Sequence, residues 1–149
     1  MTTTIRPLVP QVAVLKAAPE FTGKQALRYQ PGISAETVGS TGLHLQLVTI
    51  PPGAKAKAHK HEAHETALHV LSGRSGMWYG EGLEHHVEAN AGDFLYIPAG
   101  VPHLPVNISD KPTSAVIART DPNEQESVVL RPDLETIAEK RIAELRMAR

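Results

Sequence analysis

Four of the chain's eight histidines, His59, His61, His64 and His69, fall within eleven residues of one stretch, GAKAKAHKHEAHETALHVLSG, running from Gly53 to Gly73. Imidazole nitrogen ligates zinc, copper, iron and nickel, and one added carboxylate oxygen admits manganese as well. Side chains of an extended strand alternate between its faces, so His59 and His61 share a face with their rings about 6–7 Å apart. That separation suits two ligands of one ion, and Glu65 is the nearest suitable carboxylate. Taken singly, each of these histidines reads as a polar residue on a solvated loop, because Lys55, Lys57 and Lys60 lie among them. Their interrupted, internal placement excludes a purification tag.

A second stretch, GDFLYIPAGVPHLPVN from Gly92 to Asn107, changes that reading. Gly53-(five residues)-His59-x-His61-(three)-Glu65 resembles the first motif of the cupin superfamily. Gly92-(five)-Pro98-x-Gly100-(two)-His103-(three)-Asn107 matches the second motif at every fixed position. Eighteen residues, Arg74 to Ala91, separate the two, a spacing within the family's range. The resemblance covers roughly Leu43 to Arg119, about half the chain.

The resemblance implies an all-β fold, the double-stranded β-helix or jelly-roll barrel. It also implies one divalent transition metal ion held by His59, His61, Glu65 and His103. Such a shell leaves one or two positions for water or substrate, which separates a catalytic or ligand-binding site from a closed structural one. Iron, manganese and nickel rank above zinc, although ligand type alone does not select among them. The pattern departs from the family at one place. Six residues usually part the first motif's glutamate from its closing glycine, whereas seven, Thr66 to Ser72, lie between Glu65 and Gly73. Either a β-bulge turns Glu65 inward, or His64, which has the parity of Thr66, Leu68 and Val70, replaces the carboxylate. Glu65 is preferred for its spacing from His61 and its residue type.

The elements that must position these residues are legible as short strands between turns. Leu43, Leu45 and Leu47 alternate with His44, Gln46 and Val48, the two-residue period of a half-buried strand. Pro51-Pro52-Gly53 ends it. Further strands are expected at Ala67–Leu71, Met77–Tyr79, His85–Glu88, Phe94–Ile97 and Ser114–Arg119, with glycine-rich turns at roughly 8–12-residue spacing that argue for an all-β sandwich or barrel. Residues 1–42 read as an N-terminal arm and approach strands, with Gln11–Leu15 a short strand. Residues 43–120 read as the barrel core and 121–149 as a C-terminal extension with an α-helix. That helix starts at Arg131-Pro132-Asp133, with proline in its first turn and acids at its N-terminal pole. Leu134, Ile137, Ile142 and Leu145 form its apolar stripe, and it packs on the barrel's outside or on a partner.

Other residues carry weaker signals. Asn107 is expected to pair backbone groups at a turn, with Pro98 and Gly100 shaping the turn that presents His103. His44 is expected outward or interfacial, and His69 in a sheet or interface. His85 and His86, being adjacent, point to opposite faces. Trp78, Phe94 and Tyr96 are expected to pack the barrel, with Tyr96 able to line its mouth, and Arg74 and Arg119 to lie at the surface.

At 149 residues the chain is one domain, long enough to bury a core. A net charge of −1 with dispersed signs gives no basis for a nucleic-acid or anionic membrane partner. The absence of cysteine excludes disulfides, thiolate ligands and a cysteine nucleophile. The N-terminus lacks the basic start and continuous apolar core of a signal peptide, and no apolar run approaches the ~18–20 residues of a membrane span, so a cytoplasmic protein is expected. Nucleophile-elbow, phosphate-loop and dinucleotide motifs are missing; catalytic residues other than the metal stay unassigned. The first functional expectation is a metal-dependent enzyme acting on a small molecule, of oxygenase or isomerase/decarboxylase type. The alternatives are a non-catalytic cupin binding a sugar or carboxylate, and a barrel whose metal only stabilises it. The arm, the open sheet edges and the family's habit all point to a homodimer.

Overall fold

A computed structural model describes residues 11–124 and 127–147. The arm's first ten residues and the chain's last two lie outside these. Among the described residues, eleven strands form two sheets in which all pairings are antiparallel: β1 (Phe21–Thr22), β2 (Arg28–Ile33), β3 (His44–Ile50), β4 (His59–His61), β5 (Thr66–Ser72), β6 (Arg74–Tyr79), β7 (His85–Asn90), β8 (Phe94–Ile97), β9 (His103–Asn107), β10 (Thr113–Arg119) and β11 (Val128–Leu130). One sheet runs β1-β2-β3-β10-β5-β8 and the other β11-β4-β9-β6-β7. This is the expected double-stranded β-helix. Gln11–Leu15 forms no strand, with Val12 and Val14 fully exposed. A four-residue helix, α1 (Ala35–Val38), interrupts the approach to β3; Ser34 caps it by accepting from the Thr37 N–H, the local bond that favours serine at this position.

Two apolar clusters hold the sheets. Inside the barrel, Leu27 and Tyr29 of the approach pack with Val48, Ile50, Ala115 and Ile117. Outside the five-stranded sheet, a 3-10 turn (Pro132–Leu134) leads into α2 (Glu135–Met147). Leu134, Ala138 and Ile142 of this segment cover Leu104 and Val106, with Ile137 and Leu145 at the edge. Because the helix seals its outer side, β9 is buried on both faces. The strand that carries His103 is thus among the most firmly packed in the molecule. Trp78 joins the same cluster, with the Arg141 guanidinium 5.0 Å over its ring.

Three placements differ from expectation. The alternation in β3 is real but its faces are inverted: His44, Gln46, Val48 and Ile50 point inward and are buried, while Leu43 and Leu45 are 72% and 42% exposed. A period of two shows that a strand has two faces; it does not say which faces the cavity when that cavity holds polar groups. Arg119 is buried at 4% exposure instead of lying at the surface. Phe94 is 82% exposed on the outer side of β8, where it stacks on His69 of β5 with ring centroids 4.4 Å apart. Turn geometry explains the closing glycine of the first motif. Gly73 has φ +82°, and a Cβ there would lie 2.6 Å from Thr113 Oγ1 and 2.8 Å from the Pro112 carbonyl oxygen.

Candidate metal centre

Two strands present the three histidines. In β4, His59 and His61 alternate with Lys60, so both turn inward and are buried while Lys60 stays at the surface. β9 runs antiparallel to β4 and pairs His103 directly opposite His59. The ring centroids lie 4.3 Å apart for His59 and His103, 5.0 Å for His59 and His61, and 5.1 Å for His61 and His103. One potential ligand atom from each falls within 4.8 Å of the other two.

The ring tautomers are set by the backbone. His59 Nδ1 donates to the Lys57 carbonyl at 2.6 Å, and His103 Nδ1 donates to the Val101 carbonyl at 2.9 Å. In each case the carbonyl belongs to the residue two positions earlier, where the chain enters the strand. A proton held on Nδ1 leaves the Nε2 lone pair as the available ligand, the arrangement that orients metal-binding imidazoles. Nitrogen ligands about 2.1 Å from one ion stand roughly 3.4 Å apart, so small side-chain rotations bring the set to coordinating distance. The donor set therefore fits a divalent transition ion.

Glu65, expected to supply the carboxylate, is not brought to the three histidines. β5 begins at Thr66 and pairs regularly there, with Ile97 on one side and Arg119 on the other; the register shift of β5 against β10 lies at the far end, where Leu71 is skipped between Val70 and Ser72, and does not turn Glu65 inward. Strand alternation then puts Glu65 on the outer face, exposed, where its carboxylate accepts a 2.6 Å hydrogen bond from the Tyr96 hydroxyl. That bond, with the carboxylate's charge behind it, holds the Tyr96 phenol above its usual pKa. Thr66 takes the inward position. It is 6% exposed, lines the cavity, and its Oγ1 has no hydrogen-bond partner among the described residues. The extra residue before Gly73 therefore exchanges a carboxylate for a neutral hydroxyl at this position.

His64, the alternative fourth ligand, is buried beside the site. Its ring packs 4.6 Å from that of His61, while Nδ1 lies 3.4 Å from Ser127 Oγ and 3.7 Å from Asp121 Oδ2. Burial works to raise the Asp121 carboxyl, but hydrogen bonds from Asn123 and from the Ser127 N–H, with His64 nearby, hold it below the usual carboxylate range. His64 thus stands outside the converging trio and links it to the segment after β10.

The barrel interior behind the histidines is a cavity of about 60 Å³, room for a few waters or a very small group. Its walls are mainly aliphatic, and Gln46 of β3, Thr66 of β5 and Thr113 and Arg119 of β10 are among its polar side chains. Arg119 donates through Nε to the Asp121 carbonyl at 3.3 Å, and through one terminal nitrogen to the Asn123 and Glu124 carbonyls at 2.5 and 3.3 Å. Sequence reading missed Arg119, His44, Gln46 and Thr66 as interior residues. The available signal was their common parity, since β10 pairs Arg119 with His44 on one side and with Thr66 on the other. Asn107 braces the second motif as expected: its amide donates to the Ile50 and Lys111 carbonyls at 2.8 and 2.7 Å, and its Oδ1 accepts from the Ser109 N–H at 2.9 Å.

Among the outlying histidines, His69 packs on Phe94 outside the barrel, and His86 packs on Trp78 at 4.4 Å. Burial lowers the His86 pKa, partly offset by the Glu88 carboxylate. His85 is exposed on the opposite face. Arg74 is a surface residue paired with Glu88 at 3.0 Å.

A family model described as "Cupin domain" matches residues 46–118. No curated protein matches the chain. Among solved structures, a variant of Bacillus subtilis oxalate decarboxylase aligns with TM-score 0.61 and 22% identity, covering 76% of this chain and 32% of that one. Another structure of the same decarboxylase, studied for its Mn(II) centres, aligns with TM-score 0.61 at 21% identity and the same coverage. The chain thus spans about a third of the length of those relatives. A conserved protein with a double-stranded β-helix domain from Klebsiella pneumoniae subsp. pneumoniae aligns with TM-score 0.57 at 18% identity, covering 70% of this chain and 83% of that one. Identities at this level speak for the fold. Among the described residues, no helix is long and apolar enough to cross a membrane.

Proposed function

The chain belongs to the cupin superfamily, and from that premise we propose that it is a metal-dependent enzyme acting on a small molecule, of oxygenase or isomerase/decarboxylase type. The observation that carries the proposal is the convergence of His59, His61 and His103, two of them with Nδ1 bonded to a backbone carbonyl. The ligand set proposed is these three, with Glu65 left out. A divalent ion held there would act as a Lewis acid on a substrate oxygen. Three neutral imidazoles leave its full charge uncompensated, and the buried Arg119 adds a second cation to the cavity lining. An anionic head, a carboxylate or an enolate, is therefore the favoured substrate group. Work on the decarboxylase neighbours concerns Mn(II) centres; iron, manganese and nickel remain ahead of zinc in this proposal.

One observation favours the alternative, a non-catalytic cupin that binds a small carboxylate or sugar. Among the described residues, no Asp or Glu lines the cavity, so a carboxylate general base is missing from it. Metal-loaded and metal-stripped protein, with His61→Ala beside them, separate the readings. The enzyme reading expects oxygen uptake or carbon dioxide release from a panel of small carboxylates only in the loaded wild type. Turnover retained without metal would overturn it, and ligand-raised melting temperature without turnover would favour the binding reading.

We also propose that the chain forms a homodimer through the outer face of the six-stranded sheet. Leu45, Leu71 and Phe94 are exposed there at 42%, 50% and 82%, large apolar side chains on β3, β5 and β8 of that sheet.

A further inference from the structure

The two sheets close the barrel unequally. β7 ends the five-stranded sheet and β8 ends the six-stranded one, and each pairs on one side only among the described residues. The short turn between them, Ala91–Asp93, keeps these two edges adjacent without zipping them together. The seam opens to solvent as a cleft of about 310 Å³. That is several times the interior volume of about 60 Å³, and it is large enough for the body of a small molecule.

The cleft is walled by apolar side chains, with Val87 and Pro98 on its outer part and the rings of Tyr79 and Tyr96 at its rim. No charged residue lines it among the described residues. Its floor is shared with the barrel interior: Met77, Leu95, Ile97 and His103 line both spaces. A group lying in the cleft is therefore one side chain away from the interior, and it meets the His103 ring directly. Met77, an unbranched thioether with several rotatable bonds, is the adaptable part of that partition.

We propose that this seam is the substrate's subsite and that the substrate is amphipathic, with a small oxygen-bearing head at the three histidines and an apolar body in the cleft. The inference rests on the metal-centred reading above and deepens it by naming the substrate class. Size and polarity carry it together. The interior admits only a head, while the adjoining space is larger, open and apolar, and it touches a proposed ligand. A fully polar dianion would gain nothing from the cleft, whereas an aryl or alkyl carboxylate gains burial there.

The test compares two carboxylates with the same head. Cobalt(II)-loaded protein is titrated with acetate and with 3-phenylpropionate, following the cobalt visible spectrum. The expected result is at least tenfold tighter binding of 3-phenylpropionate in the wild type, with nuclear Overhauser contacts from its phenyl protons to the Val87 methyls. In Val87→Trp, which fills the cleft from the half-buried β7, the advantage should fall below threefold while acetate binding stays unchanged. The contact measurement keeps the inference testable should that variant fail to fold. Equal affinities for the two probes, or phenyl contacts elsewhere, would overturn the inference while leaving the metal reading intact. A Val87→Trp protein with altered mass in solution would show that the cleft is a contact between copies, which also overturns it. Failure of cobalt to bind at all would remove the reading on which the inference rests.

Discussion

Replacing Glu65 by alanine should leave metal affinity almost unchanged, although its spacing from His61 marks it as a ligand. The carboxylate lies on the outer face of β5, exposed and bonded to Tyr96, while the histidines face inward. Across one sheet the charge-to-ion separation is about 10 Å. In water a divalent ion and a single charge at that distance interact by about 0.8 kcal/mol, and screening at 0.15 M salt reduces this to about 0.2–0.3 kcal/mol. The change in dissociation constant is then under about twofold. A true ligand must matter at least as much as a residue that only orients one, which is typically worth about 10–100-fold. Competition titration of cobalt or zinc against a chromophoric chelator separates these outcomes, with His61→Ala as the reference for a lost ligand. Thr66→Glu supplies the converse, since it puts a carboxylate on the cavity face and should tighten binding. A loss of tenfold or more in Glu65→Ala, matching that of His61→Ala, would refute the placement of Glu65 and restore the four-residue shell.

Three further outcomes follow from the packing. Asn107→Ala strips hydrogen bonds from the Ile50 and Lys111 carbonyls, costing about 2–3 kcal/mol, and should lower Tm by roughly 4–12 °C by calorimetry; an unchanged Tm would mean that the brace is redundant. The His86 pKa lies below its usual value through burial, so as pH falls through about 6.5 the unfolded chain takes up the proton first and stability declines toward the lower folded-state value. His86→Phe should therefore show a shallower fall of Tm between pH 7 and 5, and an identical slope would contradict the buried neutral ring. Phe94→Asp should halve the mass measured by light scattering if the outer sheet face joins two copies; a monomeric wild type would dispose of that interface.

The second histidine motif made the fold legible, because its glycines and proline report backbone needs that side-chain burial does not obscure. Gly92 and Gly100 have φ of +95° and +80°, and Gly73 closes the first motif where any Cβ would meet Pro112 and Thr113. His59, His61 and His103 were legible because alternation along β4 fixes two of them together. The fourth position was not, since spacing from His61 counts residues while the direction of a side chain depends on where β5 starts pairing. Regular pairing from Thr66 settles the face, and that pairing is a long-range property involving Ile97 and Arg119. The same holds for β3 and β10. Leucine-rich alternation invites an inward Leu45, yet Gln46 and Arg119 line the cavity, His44 is buried opposite Arg119, and Leu43 and Leu45 are exposed. Polar residues inside an apolar barrel break the rule that relates period to burial, and they do so around the candidate site.

Metal content tests the central claim most directly. Protein purified without added metal or chelator, then reconstituted with iron, manganese, nickel or zinc, should hold about one ion per chain by elemental analysis, and His59→Ala and His103→Ala should each lose it while keeping the circular dichroism of the folded barrel. Absence of stoichiometric metal in the wild type after reconstitution, or full retention in both variants, would contradict the account.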